Sequence, residues 1–181
     1  KVLEIEPNHA NALESVARLR ELSGDAQAAL AAIEALAEKA TTPEAKAEQF
    51  IRAARLLESR GDRDGAIQRY KLALDANPKD RSAAAALRAA YTARGDAGAA
   101  IELIVQEIET VEGNLQKARL FAEMATLAKQ RLKDDDRAEA AAKQALELDP
   151  TNLEALTLLG DIAFERGRFL EASAHYDQLA S

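Results

Sequence analysis

Three segments of this sequence end in the same way and lie at nearly equal intervals. KVLEIEPNHA, KLALDANPKD and KQALELDPTN each carry an amphipathic run that stops at a proline, and Pro7, Pro78 and Pro150 are 71 and 72 residues apart. Five alanines recur at spacings of 34 to 38 residues, which is about half of the interval between the prolines. Four glycines recur with nearly the same period. The alanines are Ala29, Ala66, Ala100, Ala138 and Ala172, and the glycines are Gly24, Gly61, Gly95 and Gly167. This internal period predicts an array of five similar repeats.

The residues that fill each repeat favour helix. Aromatic residues make up only 4% of the chain and there is no Trp, and Ala supplies much of the 48% apolar share. Ala, Leu, Glu, Lys, Arg and Gln are strong helix formers, whereas the β-branched and aromatic residues that favour strands are sparse. The sequence therefore predicts an all-α protein.

Each repeat is predicted to contain two helices joined by a short turn at the glycine. Glycine can adopt positive φ beyond a helix end, and the Asp that follows it at Asp25, Asp62 and Asp96 is a favoured cap for the second helix. The second helix closes at the proline, which cannot donate a hydrogen bond to it. The predicted caps of the first helices are Asn8, Thr42, Asp80, Asn114 and Thr151, the last with Glu154 as a capping box.

The repeat carries a bulky residue, then a small residue four positions later, and an alanine and an aromatic on the second helix. The last repeat has Leu156, Leu159, Gly160, Ala163, Ala172 and Tyr176 at these positions, and the second has Phe50, Ala53, Ala54, Leu57, Ala66, Tyr70 and Pro78. This pattern resembles the tetratricopeptide repeat over essentially the whole chain. The resemblance implies a right-handed α-α superhelix, the solenoid of that family.

The resemblance also implies a division of the chain. We expect the end of a preceding repeat at 1–9, full repeats at 10–43, 44–80, 81–114 and 115–152, and a truncated repeat at 153–181, with lengthened first helices in the second and fourth. One extra residue in the fourth repeat is expected within the turn Lys133 to Asp136. Because neither end carries the polar cap that a solenoid needs, we expect the chain to be a piece of a longer array.

In the tetratricopeptide family the first helices line a concave groove that receives peptides or partner helices. The resemblance implies inward positions at Asn11, Glu14, Arg18, Glu21, Glu48, Ile51, Arg55, Glu58, Ser82, Ala85, Ala89, Thr92, Arg119, Ala122, Thr126, Lys129, Glu154, Thr157, Asp161 and Phe164. From these, the predicted partner-binding residues are Arg18, Ile51, Arg55, Lys129, Asp161 and Phe164, because arginine and aromatic side chains often dominate interfaces. The Lys and Asn clamp of chaperone-binding members is missing, which argues against acidic chaperone tails as partners.

Composition argues against several other functions. The net charge of −7 disfavours binding to nucleic acid, and the absence of Cys excludes disulfides and thiolate metal sites. His9 and His175 lack ligands at metal spacing, and no phosphate loop, nucleophile elbow or HExxH motif occurs. No apolar run is long enough to enter a membrane. We therefore expect a soluble, non-enzymatic chain without cofactor or metal, in the cytoplasm or periplasm.

Three hypotheses remain at this point. The first is a scaffold that binds a protein or peptide in its groove. The second is a structural spacer or a self-assembling segment that associates through uncapped ends. The third is an array that recruits substrates for an enzyme or secretion component encoded elsewhere in the same chain.

Overall fold

The structure, a computed structural model, describes residues 9–180, and all regular structure in that range is helical. The prediction of an all-α chain is confirmed there. The segment 1–8, with the predicted cap Asn8 and most of the expected preceding repeat, lies outside the described residues. The helices are α1 (Ala10–Ser23), α2 (Ala26–Lys39), α3 (Pro43–Ser59), α4 (Arg63–Ala76), α5 (Arg81–Arg94), α6 (Ala97–Thr110), α7 (Asn114–Leu127), α8 (Asp135–Leu148), α9 (Leu153–Glu165) and α10 (Phe169–Leu179).

The turn between paired helices forms as the glycine and aspartate predict. Gly24, for example, has a φ of +77°, and the same left-handed region is occupied by the glycines at 61, 95 and 167. The following aspartates accept from the third backbone N–H beyond them, as Asp25 does from Ala28 at 3.2 Å. The three Gly-Asp turns therefore satisfy a free amide of the next helix, whereas Arg168 after Gly167 forms no side-chain cap.

The predicted caps of the first helices are confirmed at two places and wrong at two others. Thr42 and Asp80 accept from the amides of Ala45 and Ala83. Asn114 is instead the first residue of α7, after Gly113. Asn152, not Thr151, caps α9, because its side chain reaches the Ala155 amide at 3.0 Å. The Thr151 hydroxyl is engaged by Asp149, so the capping box with Glu154 does not form.

The chain forms two compact units that divide after Arg94. In the N-terminal unit, helices α1 to α5 pack in chain order. One part of its core joins the first three helices through small and branched side chains: Ala17, Ala32, Ile33 and Ala53, with Val16, Leu30, Leu36 and Leu56 against them. Ala29 and Ala66, two of the five alanines that recur along the sequence, are both fully buried.

The C-terminal unit contains helices α6 to α10. One cluster of its core is almost entirely alanine and consists of Ala122, Ala125, Ala141, Ala142, Ala145, Ala155 and Leu159, with Phe121, Met124, Leu146 and Leu158 packed on it. Such small side chains let helix axes come within about 8–10 Å of each other. Helix α9 thereby contacts both α7 and α8, so the first helices of consecutive repeats lie side by side.

The extra residue of the fourth repeat lies in a helix and not, as expected, in the turn after it. Helix α7 continues into a π-helical turn, Ala128–Leu132, which takes one more residue per turn than an α-helix. The turn from Lys133 to Ala138 then has the same length as the turn from Gly61 to Ala66. Lys133 adopts the left-handed conformation, φ 57°, that glycine adopts in the other turns.

Candidate functional site

In the N-terminal unit the first helices of two repeats leave an open groove between them, which we call the N-terminal groove. It has a volume of about 650 Å³. The residues that line it come from α1 and α3: Glu14, Glu21, Glu48, Gln49, Ile51, Arg52, Arg55 and Leu56. Five of these residues are ionisable, so the groove is strongly polar.

Arg52 is the central cation of this groove. Its Nε and Nη2 donate to the two carboxylate oxygens of Glu21 at 2.9 Å, and its Nη1 donates to both oxygens of Glu14 at 2.9 Å. The hydrogen bond to Glu21 is the largest cause of a raised Arg52 pKa, and burial opposes it. Arg52 therefore ties α1 to α3 and neutralises carboxylates from within the chain.

Arg55 lies one turn further along α3 and is exposed. Its positive charge favours ionisation of Tyr70 and so lowers the pKa of that residue, whose hydroxyl donates to Glu58 Oε2 at 2.9 Å. Burial, followed by this bond to Glu58, raises the pKa of Tyr70 to about 12. The tyrosine thus stays protonated and links α4 to α3.

The C-terminal unit has a groove of the same kind between α7 and α9, which we call the C-terminal groove. Its volume is about 390 Å³. Two of its carboxylates accept from hydroxyl groups: Glu154 from Thr126 at 2.6 Å and Asp161 from Tyr176 at 2.7 Å. The full lining is Thr126, Gln130, Leu153, Glu154, Thr157, Leu158 and Asp161.

Large apolar side chains are exposed near this groove. Leu153 is 65% exposed and Phe164 is 59% exposed, both on α9. The ring of Phe164 makes an edge contact with that of Phe169, with 5.5 Å between the centroids. Exposed rings at the end of a polar groove offer contact area to a partner.

Lys129 is engaged within its own unit. Its ammonium forms ion pairs with Glu165 and, at 3.1 Å, with Asp135. Burial lowers the pKa of Lys129, but the hydrogen bonds to Glu165 and Asp135 outweigh it and the pKa is raised. The side chain therefore connects the π-helical turn to α8 and α9.

A set of arginines that the sequence analysis did not single out connects consecutive repeats. Each precedes the turn glycine and donates, in the repeat before it, either to the turn or to the first residues of the helix that follows the turn. The contacts are Arg60 Nη2 to the Gly24 carbonyl oxygen at 2.5 Å, Arg94 Nη1 to Asp64 Oδ1 at 3.0 Å and Arg166 Nη2 to Asp136 Oδ1 at 2.7 Å. The recurrence of Arg directly before Gly in the sequence could have indicated these contacts.

Glu139, on α8, is the most heavily bonded carboxylate of the C-terminal unit and is only 8% exposed. It accepts from Arg166, from Lys143 and twice from Arg168, at 2.7 to 3.1 Å. The hydrogen bonds from Arg168 and Lys143, against an opposing effect of burial, lower the pKa of Glu139 to about 2. This cluster anchors the turn between α9 and α10 on the preceding repeat.

The six predicted partner-binding residues fall into two groups of three, one in each unit. Ile51 and Arg55 line the N-terminal groove, but Ile51 is only 8% exposed, and Arg18 is exposed on α1. Asp161 lines the C-terminal groove, Phe164 follows it on α9, and Lys129 is tied to neighbouring carboxylates. The sequence analysis did not predict a role for Arg52. The available signal was the presence of Glu14 and Glu21 at inward positions of the preceding repeat, where they can pair with a cation.

Two features of other protein classes do not occur in the described part of the chain. No group of His, Cys, Asp and Glu between residues 9 and 180 could hold a metal ion. Within the same range, every helix is too short or too polar to cross a membrane.

Residues 130–181 match the family model of the tetratricopeptide repeat. No curated protein has a significantly similar sequence. Among solved structures, MamA from Desulfovibrio magneticus is 17% identical, with 94% of this chain and 93% of that chain covered and a TM-score of 0.62. BtubC from P. vanneervenii is 22% identical, with 98% and 82% covered and a TM-score of 0.63. A tetratricopeptide repeat protein from Parabacteroides merdae is 17% identical, with 94% and 65% covered and a TM-score of 0.67. At these identities the likeness is one of fold.

Proposed function

We propose that this chain, whose residues 130–181 match the tetratricopeptide-repeat model and whose fold resembles that of a solved tetratricopeptide repeat protein, is a non-enzymatic scaffold that binds a peptide or helix of a partner protein along its first helices. Proteins with this fold are in general interaction scaffolds, since stacked repeats present extended binding surfaces. The proposal assigns no chemical step and no cofactor to the chain.

One observation carries the proposal. In each unit, the first helices of consecutive repeats leave an open groove of several hundred Å³ with polar and apolar side chains along it. Grooves of this size accommodate a few side chains of a peptide, and convergent polar groups give specificity. Arg55 in one groove and Phe164 beside the other are of the types that dominate measured interfaces.

The test is selection of binders from a displayed library of random peptides, using the whole chain as the target. Selected peptides are then measured against two paired variants, Glu48→Ala with Arg55→Ala and Leu153→Ala with Phe164→Ala. The control pair, Glu102→Ala with Glu147→Ala, changes exposed residues on the second helices α6 and α8. Lys129 is left unchanged because its loss would break two ion pairs.

We expect each selected peptide to lose at least about tenfold in affinity with one groove pair and to be unaffected by the control pair. Peptides that bind all variants equally would argue against the grooves as binding sites. A library without any binder would favour the spacer hypothesis instead. Circular dichroism on every variant separates loss of a contact from loss of the fold.

A further inference from the structure

The C-terminal groove has large apolar side chains at both ends of one helix face. Leu153 and Phe164 are eleven residues apart on α9, which is close to three full helical turns, so they lie on the same face about 17 Å apart. Both are more than half exposed. A partner segment that contacts both must therefore pass over the polar residues between them, including Thr157 and Asp161.

The two carboxylates of this groove have no cation from the described part of the chain. Glu154 and Asp161 accept only from the hydroxyls of Thr126 and Tyr176, and neither forms an ion pair with any residue between 9 and 180. The nearby Lys129 is paired with Asp135 and Glu165 instead. The side chains that line the C-terminal groove therefore carry two negative charges and no positive one.

The lining of the N-terminal groove, in contrast, includes two cations, Arg52 and Arg55. There Arg52 binds the carboxylates of Glu14 and Glu21 from the adjacent helix. In the alignment of the two repeats by Phe50 and Leu156, the position of Arg52 is taken by Leu158, which also lines its groove. The C-terminal groove thus lacks the internal cation at the position where the N-terminal groove has one.

We propose that the C-terminal groove binds a peptide segment with Lys or Arg between two large apolar residues. Contact of apolar residues with Leu153 and Phe164 would remove water from Glu154 and Asp161. Burying an unpaired carboxylate is costly, and an incoming cation offsets that cost. An acidic segment would add repulsion, and a neutral one would leave the carboxylates unpaired. The inference rests on the proposed scaffold function and specifies the partner of one groove.

The test uses three fluorescent peptides of about three helical turns, each with Leu at both ends. They differ only at two central positions, which are both Lys, both Gln or both Glu. Fluorescence anisotropy with the whole chain is expected to show binding in the order Lys, Gln, Glu, with about a tenfold step between the first two at low salt. The preference is expected to shrink at high salt, because screening weakens exposed charge pairs.

The variant Glu154→Gln with Asp161→Asn keeps the size of both side chains and removes both charges. It is expected to bind the Lys and Gln peptides equally, whereas the control Glu102→Gln with Glu147→Gln keeps the Lys preference. If the Lys preference is absent in the natural chain, or persists in the groove variant, the inference is overturned. The proposed function fails separately, when library peptides bind independently of both grooves.

Discussion

The ring of Tyr176 packs against the backbone of Gly160, where a Cβ atom would lie 2.5 Å from Tyr176 Cε1 and 2.8 Å from Cζ. The ring is held in place by the bond from its hydroxyl to Asp161. Helices α9 and α10 can therefore approach closely only because residue 160 has no side chain.

The variant Gly160→Ala should destabilise the C-terminal unit by about 1–3 kcal/mol through overpacking, despite the better helix propensity of alanine. Chemical denaturation followed by circular dichroism measures the change. The matched control is Gly98→Ala on α6, where a Cβ would meet only Asp96 Oδ1 at 3.8 Å. It should be neutral or stabilising by up to about 1 kcal/mol. Equal effects at both positions would contradict the packing argument.

The lowered pKa of Glu139 predicts how the stability of the C-terminal unit depends on pH. Because folding lowers this pKa from 4.5 to about 2, its contribution to stability is complete above pH 4.5 and is lost as pH falls towards 2. Glu139→Gln should cost on the order of 2 kcal/mol at neutral pH and progressively less in that acid range. Denaturation of both proteins across pH measures the difference. A constant difference from neutral pH to pH 2 would show that the charge is not the cause.

Lys133 adopts a backbone conformation that glycine adopts more easily. Lys133→Gly should stabilise the C-terminal unit by about 0.5–1 kcal/mol, because relief of the left-handed strain exceeds the added freedom of the unfolded chain. Lys133→Ala is the control, since alanine keeps the strain while removing the same long side chain. Denaturation midpoints of the three proteins measure the effect. A gain with alanine equal to that with glycine would assign the effect to the side chain.

Replacing the internal cation of the N-terminal groove should give that groove the partner preference proposed for the other. In Arg52→Leu, Glu14 and Glu21 lose the guanidinium that binds both of them. Combined with Glu154→Gln and Asp161→Asn, this variant should regain a preference for the Lys peptide over the Gln peptide. Anisotropy titration measures it. Unchanged affinities would mean that free carboxylates in a groove do not select basic segments here.

The repeats and helices were predictable because their signals are local. Glycine at a left-handed turn and aspartate at a cap depend on neighbours within a few positions, and these predictions hold at Gly24 and Asp25. Thr151 shows the limit of such reasoning. Threonine and asparagine are both good caps, and the competing bond from Thr151 to Asp149 decides between them.

The grooves were only partly predictable, because their electrostatics depend on pairs of residues far apart in the sequence. Glu14 and Arg55 were expected to face inward, and both line the N-terminal groove. The pairing of Arg52 with Glu14 spans 38 residues and depends on the lateral offset of two helices. The ion pairs of Lys129 likewise depend on the π-helical turn, which a pattern of α-helical period does not reveal.

The arginines that reach back one repeat have a consequence for how the protein is made. Gly24 receives its hydrogen bond from Arg60, and Asp64 receives its ion pair from Arg94. Because the ribosome releases the chain from its N-terminus, each of these turns emerges before the arginine that completes it. The first, second and fourth repeats therefore each lack one bond until the next repeat has left the ribosome, and a stall during synthesis leaves the most recently made of these sites without it.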